Sequence, residues 1–138
     1  MLTKECDYGI RVIRSLADNR RKTVEAISTA EHIPHQYAYK ILKKLEKAEF
    51  VKCTRGRDGG YRLAKSLDSF TIYDVIVAIN KNLFLHKCLK EGQECPNNQI
   101  SENNPCAVHV EFGRIQEIFV EEMKRKTMLE IIMPEGDV

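Results

Sequence analysis

Phe50-Val51-Lys52-Cys53-Thr54-Arg55-Gly56-Arg57-Asp58-Gly59-Gly60-Tyr61-Arg62-Leu63-Ala64 is the stretch that decides the fold. Phe50–Thr54 has the composition of a short strand, Arg55–Gly60 that of a turn, and Tyr61–Ala64 that of a return strand. The hairpin tip therefore carries Arg55 and Arg57. Just before it, Ala38, Ile41, Leu42, Leu45 and Ala48 recur at helical spacing. They predict a third helix with Pro34 in its first position, where the missing N–H is not needed. His35, Gln36, Tyr39, Lys40, Lys43, Lys44 and Lys47 fall on its other faces.

Two helices precede this unit. Cys6, Ile10, Ile13, Leu16 and Ala17 predict an amphipathic helix from Thr3 to about Asp18. Thr23 caps a short second helix with Ile27 and Ala30 facing inward. Three helices followed by a basic hairpin is the order of a winged helix-turn-helix. In that arrangement the third helix enters the major groove and the hairpin arginines meet phosphates or the minor groove. A helix studded with lysine is usually no more than a solvated face; here its order with the basic hairpin turns the reading toward nucleic acid.

Charge supports that reading. Residues 1–65 hold 15 Lys+Arg against 8 Asp+Glu, whereas residues 66–138 hold 7 against 12, in a chain whose net charge is +2. A basic half suits a polyanion, and the acidic half does other work. The apolar fraction of 43% and charged fraction of 30% fit a globular chain of 138 residues and exclude a disordered or collagen-like one. The apolar runs are far shorter than the ~20 residues of a membrane helix. Met1–Asp7 has no apolar core of a signal peptide. The expected setting is cytoplasmic, with no membrane association.

Five cysteines, Cys6, Cys53, Cys88, Cys95 and Cys106, make an odd count that argues against a disulfide framework. Cys6 and Cys53 are read as structural. Thr71-Ile72-Tyr73-Asp74 forms a capping box before a helix with Ile72, Val75, Ile76 and Ile79 inward, ending near Asn80. Residues 88–106 lose all apolar period and read as a loop bearing Cys88-x6-Cys95-x10-Cys106-x2-His109. Thiolate and imidazole donors suit iron–sulfur clusters, zinc or copper. Structural zinc sites usually use closer cysteine pairs, which lowers zinc without removing it. As a bland alternative, His109 is a surface histidine one turn into the next helix. That last helix runs from Pro105-Cys106 to about Arg125, with Val108, Phe112, Ile115, Phe119 and Met123 along one stripe that calls for a partner. Residues 127–138 are mixed, and Met128, Leu129, Ile131, Ile132 and Met133 either fray or add to that interface.

The paired-glycine wing, Arg55-Gly56-x-x-Gly59-Gly60-Tyr61-Arg62-Leu63-Ala64, closely resembles the Rrf-type family of winged-helix bacterial regulators. It does so together with Ile41-Leu42-Lys43-Lys44-Leu45, Val51 and the opening Leu2-Thr3-x-x-x-Asp7-Tyr8 with Arg11. The resemblance covers nearly the whole chain and weakens after about Lys126. It implies a mainly α fold with a small β-hairpin wing: a DNA-binding region over 1–65, a connecting helix and cluster loop over 66–105, and a dimerisation helix and tail over 106–138. It implies a homodimer on a double-stranded DNA operator, with His35, Gln36, Tyr37, Tyr39, Lys40, Lys43, Arg55, Arg57, Gly59 and Tyr61 at the DNA.

The same resemblance implies an iron–sulfur cluster on Cys88, Cys95 and Cys106, 2Fe–2S ahead of 4Fe–4S. IscR-like branches take a histidine just after the third cysteine as fourth ligand, which His109 matches. NsrR-like branches take an acidic residue from the partner's first helix, which Asp7 matches. The ten-residue second gap exceeds the IscR-like spacing and leaves cluster type and fourth ligand open. A cofactor-free, CymR-like repressor controlled by a regulatory protein partner, or a zinc-stabilised DNA-binding protein, are the alternatives. An enzyme is not expected, because a Cys106–His109 nucleophile–base pair lacks a third orienting residue.

Overall fold

Four threonines start four helices, each with its hydroxyl turned back on the first turn. Thr3 accepts from the Cys6 N–H to open α1 (Lys4–Ser15), and Thr23 accepts from the Ala26 N–H to open α2 (Val24–Glu31). Thr71 with Asp74, and Thr127 with Glu130, form capping boxes at α4 (Ile72–Ile79) and α6 (Met128–Ile132). Between them lie α3 (His35–Lys47), β1 (Val51–Thr54), β2 (Gly60–Leu63) and the long α5 (Ala107–Lys124). Single 3-10 turns at Leu67–Ser69 and Lys87–Leu89 complete the order. The computed structural model describes residues 2–90 and 106–135. Among them no helix is long and apolar enough to cross a membrane.

α1 is the central strut, packed against α2, α3 and α4. Val12, Ile13 and Leu16 are fully buried among Ile27, Ala38, Ile41, Leu42, Leu45 and Val75. Being covered on several sides, α1 buries more than the single stripe its spacing predicts: Tyr8, Gly9 and Val12 are also inside. A Cβ on Gly9 would come within 2.9 Å of Ile79 Cγ1, so glycine sets how closely α1 and α4 approach.

The two wing strands pair antiparallel, with Val51 opposite Leu63 and Cys53 opposite Tyr61. A third strand stub joins them. The Lys22 N–H donates to the Tyr61 carbonyl at 2.9 Å and the Tyr61 N–H returns to the Lys22 carbonyl at 2.8 Å. Gly60 lies against this stub with φ +154°, and a Cβ there would meet the Lys22 carbonyl oxygen at 2.7 Å. Below the wing, Phe50 and Phe70 pack edge to face with ring centroids 4.9 Å apart.

Several expectations are corrected. α1 ends at Ser15, because Leu16 leaves helical geometry as its C-cap. Pro34 is the cap before α3 rather than its first residue, with ψ 136°. Ala30 is exposed, and Glu31 takes the inward position one turn beyond Ile27. Glu31 tolerates burial because the Arg14 guanidinium binds its carboxylate. Cys53 is exposed, since only Val51 of β1 faces the core. The tail neither frays at once nor stands apart: Met128 is fully buried, and its N–H donates to the Phe70 carbonyl at 2.9 Å.

Gly60→Ala should lower Tm by several degrees. The new Cβ meets backbone rather than a side chain that can move, and it occupies a backbone region that L-residues avoid, at a cost of ~1–3 kcal/mol. Thermal unfolding by circular dichroism checks this, with Gly56→Ala as a comparison: φ is +110° there and the space is open.

Candidate functional site

The outward face of α3 meets the wing through Lys43, whose ammonium lies over the Tyr61 ring. Ala38, Ile41, Leu42 and Leu45 anchor α3 to the core, leaving His35, Gln36, Tyr37, Tyr39, Lys40 and Lys43 exposed. Lys43 lies at the junction with the wing. Its ammonium sits 3.1 Å from Glu46 Oε2, 5.6 Å from the Tyr39 ring centroid and 6.0 Å from that of Tyr61. Glu46 and Tyr61 together hold Lys43 above its ordinary pKa. Tyr61 itself is only 4% exposed, so it braces Lys43 from beneath rather than facing outward. Burial pushes its phenol up.

The tip is built by its glycines. A Cβ on Gly59 would lie 2.5 Å from the Thr54 carbonyl oxygen, so only glycine closes this turn. The Gly59 N–H donates to the Gly56 carbonyl at 3.0 Å. Arg55 and Arg57 are exposed on the turn, and among the described residues neither finds an ion-pair partner. Two free guanidiniums beside a lysine-bearing helix suit phosphate groups.

Three supporting residues escape a reading by sequence spacing. Glu5 of α1 receives both Lys40 at 2.8 Å and Lys44 at 2.7 Å, and Lys44 also donates to the Ile79 carbonyl at 3.3 Å. Lys40 and then Lys44 hold the Glu5 carboxyl below its ordinary value. Arg21 donates to the Asp58 carbonyl in the tip. Glu25 of α2 lies 3.1 Å from His35 Nε2. None of these pairs falls within one helix, so no local period signals them. Tyr37 faces Tyr8 with ring centroids 5.8 Å apart, lining a cleft with Thr3, Pro34 and Ile79.

The predicted metal ligands are dispersed over two segments and α1. Cys88 is half-buried in the Lys87–Leu89 turn, its N–H donating to His86 Nδ1 at 3.3 Å. His86 stacks on Phe112 of α5, centroids 5.6 Å apart and planes 22° from parallel. Gln116 of α5 fastens the preceding segment, donating to the Leu83 carbonyl at 2.7 Å and accepting from the Leu85 N–H at 2.8 Å. Cys106 is the half-buried N-cap of α5 and spends no side-chain bond on capping. His109 is exposed in the first turn of α5, and Asp7 is exposed on α1, paired with Arg11 at 3.0 Å. Cys95 lies outside the described residues. Among the described residues no three potential ligands gather to hold a metal ion. His86 is the residue that spacing overlooked; its only sequence signal is its place two residues before Cys88.

Comparison with known proteins bears on both parts. The sequence profile of the Rrf2 family, described as "Iron-dependent Transcriptional regulator", matches residues 2–134. Protein aau3 of Rhizobium meliloti is 31% identical over 98 residues, covering 69% of this chain and 64% of that protein's length. The structure of CymR (YrzC), the global cysteine regulator of B. subtilis, superposes with a TM-score of 0.74 at 20% identity, covering 96% of this chain and 95% of that one. T. potens IscR gives 0.72 at 18% identity, covering 96% and 85%. At such identities the two structures establish the winged-helix fold.

Replacing Lys43 with alanine should weaken binding to all DNA sequences and reduce the slope of log K against log salt by about 1, as for loss of one phosphate contact. Titration of labelled DNA at several salt concentrations measures it. Glu5→Gln should destabilise the fold at neutral pH. Because the folded carboxyl titrates lower than the unfolded one, its contribution is full above the ordinary value of 4.5 and vanishes as pH falls through the folded value. The Tm difference between variant and native protein should therefore close in acid.

Proposed function

The chain belongs to the Rrf2 family of transcription regulators, which are not enzymes, and we propose that it acts in the cytoplasm as a homodimer on a double-stranded DNA operator under control of an iron–sulfur cluster. The exposed cations of α3 and of the wing tip carry the DNA-binding part of this reading. In this reading His35, Gln36 and Tyr39, exposed in the N-terminal half of α3, are assigned to base edges, and the exposed cations Lys43, Arg55 and Arg57 to phosphates. The dimer is supported by α5, whose Val108, Ile115 and Ile118 are 60%, 39% and 52% exposed within one chain, an apolar stripe that a second copy would cover. Two copies give two reading heads for two half-sites.

The cluster reading rests on the donors. Cys88 and Cys106 are free, half-buried thiols at the mouth of α5, on segments that pack together, and neither is consumed by local structure. With Cys95 they supply three soft ligands, completed by His109 or by Asp7 of the partner subunit. A bound cluster supplies a redox- and nitric-oxide-reactive centre. The chain's own part is mechanical. Gln116 and His86 pin the Cys88 segment to α5, α4 packs on α5 and on α1, and Glu5 of α1 holds Lys40 and Lys44 of α3. A repositioning of these elements worth ~1–3 kcal/mol between two states changes operator affinity 5- to 150-fold.

Anaerobically purified protein should contain iron and sulfide in equal amounts with a visible absorption band. Cys95→Ala should lose both the iron and the band while remaining a folded dimer by light scattering. Colourless, iron-free native protein after anaerobic reconstitution would overturn the cluster reading in favour of a cofactor-free repressor with a protein partner, and stoichiometric zinc would favour a zinc-stabilised form.

A further inference from the structure

His35 opens α3, the position from which a recognition helix reaches base edges, and its ring is not left to rotate freely. Its Nε2 lies 3.1 Å from Oε1 of Glu25, a residue of the first turn of α2. Both side chains are exposed, His35 by 54% and Glu25 by 73%. The contact is therefore not forced by burial, and His35 is exposed on α3 as Gln36 and Tyr39 are. The side-chain cap of α2 is Thr23, whose hydroxyl accepts from the Ala26 N–H at 3.1 Å. Its carboxyl is held below the ordinary carboxylate range by its own backbone N–H and by His35. At neutral pH it is an acceptor only.

That fixes a chemical consequence. A carboxylate within hydrogen-bond distance of Nε2 requires the proton to be on Nε2. In the neutral imidazole the other nitrogen, Nδ1, is then a lone-pair acceptor. We propose that Glu25 is a positioning residue for DNA recognition, selecting the His35 tautomer whose Nδ1 accepts, so that His35 reads a base bearing a major-groove donor: the N6 amino group of adenine or the N4 amino group of cytosine. Guanine and thymine offer acceptors at the same level of the groove and are disfavoured. The specificity of this position is then set from α2. The inference rests on the DNA-binding reading above.

The test uses the full-length protein. An operator is first selected from a randomised duplex library, and each of its positions is then replaced by the other three base pairs for binding titrations. His35→Ala should flatten the preference at one base pair by roughly 3- to 10-fold, the range of one hydrogen bond. Glu25→Gln keeps the side-chain size but offers both a donor and an acceptor to Nε2, admitting either tautomer. It should relax the same base pair with unchanged Tm and unchanged salt slope, and the double variant should be no more relaxed than His35→Ala alone. Imidazole nitrogen NMR of the free protein should report the Nε2–H form in the native chain and a mixture in Glu25→Gln.

An unchanged base profile for Glu25→Gln, or a shift equal for every sequence, overturns the proposal. If the native protein selects an operator whose profile ignores His35, the proposal fails while DNA binding stands. If it selects no operator at all, both fail.

Discussion

The reciprocal backbone pairing of Lys22 with Tyr61 ties the wing to the helices. Without it the hairpin would be a two-stranded ribbon, which is marginally stable in water. With it, the linker between α1 and α2 adds a single antiparallel bridge to the wing, which registers the wing to the helices. The pairing requires the chains to approach so closely that Gly60 has no room for a Cβ. Tyr61, fixed by the same contact, is buried and supplies the platform under Lys43. Arg21, next to Lys22, reaches the Asp58 carbonyl and steadies the tip. Helix and wing thus present their cations in one frame.

The second constraint is electrostatic. α3 carries four lysines within eight residues, Lys40, Lys43, Lys44 and Lys47, and like charges at this spacing repel. The structure divides them. Lys40 and Lys44 converge on Glu5, tying α3 to α1, while Lys43 leans on Glu46 and Tyr61 at the junction with the wing. A helix that looks uniformly basic in sequence is therefore part structural tether and part outward-facing cation. The wing-tip arginines differ again, being exposed and without ion pairs among the described residues.

The acidic half serves a different purpose. α5 is anchored at its C-terminal end by Met123 and at its middle by Gln116, while Val108, Ile115 and Ile118 stand exposed. Cys88 and Cys106 meet its N-terminal end, one on a turn stacked against it through His86 and Phe112, the other as its cap. Cys106 is therefore one packing step from α4 and two from α1, and Cys88 one step further from each. The Rrf2 fold shared with CymR and IscR accommodates this connection, and the cysteine content distinguishes what is built upon it.

Much was legible in the sequence because it depends on local rules. Helix existence follows from apolar period, helix starts from Thr23 and from Thr71 with Asp74, and the wing from Gly56, Gly59 and Gly60 between strand-forming residues. The grouping of Cys88, Cys95 and Cys106 is likewise visible as spacing. What stayed hidden depends on which surfaces meet. Glu31 rather than Ala30 turns inward because Arg14, seventeen residues away, is there to pair with it. Cys53 is outward because β1 has only one side covered. Glu5 finds its lysines across 35 residues and more, and Glu25 finds His35 across ten, with no periodicity to announce either pair. Local spacing determines which elements form and which residue types they carry. Only the packing of α1 against α2, α3 and α4 decides which distant charges become partners, because Coulomb attraction and burial act on distance in space and not on distance along the chain.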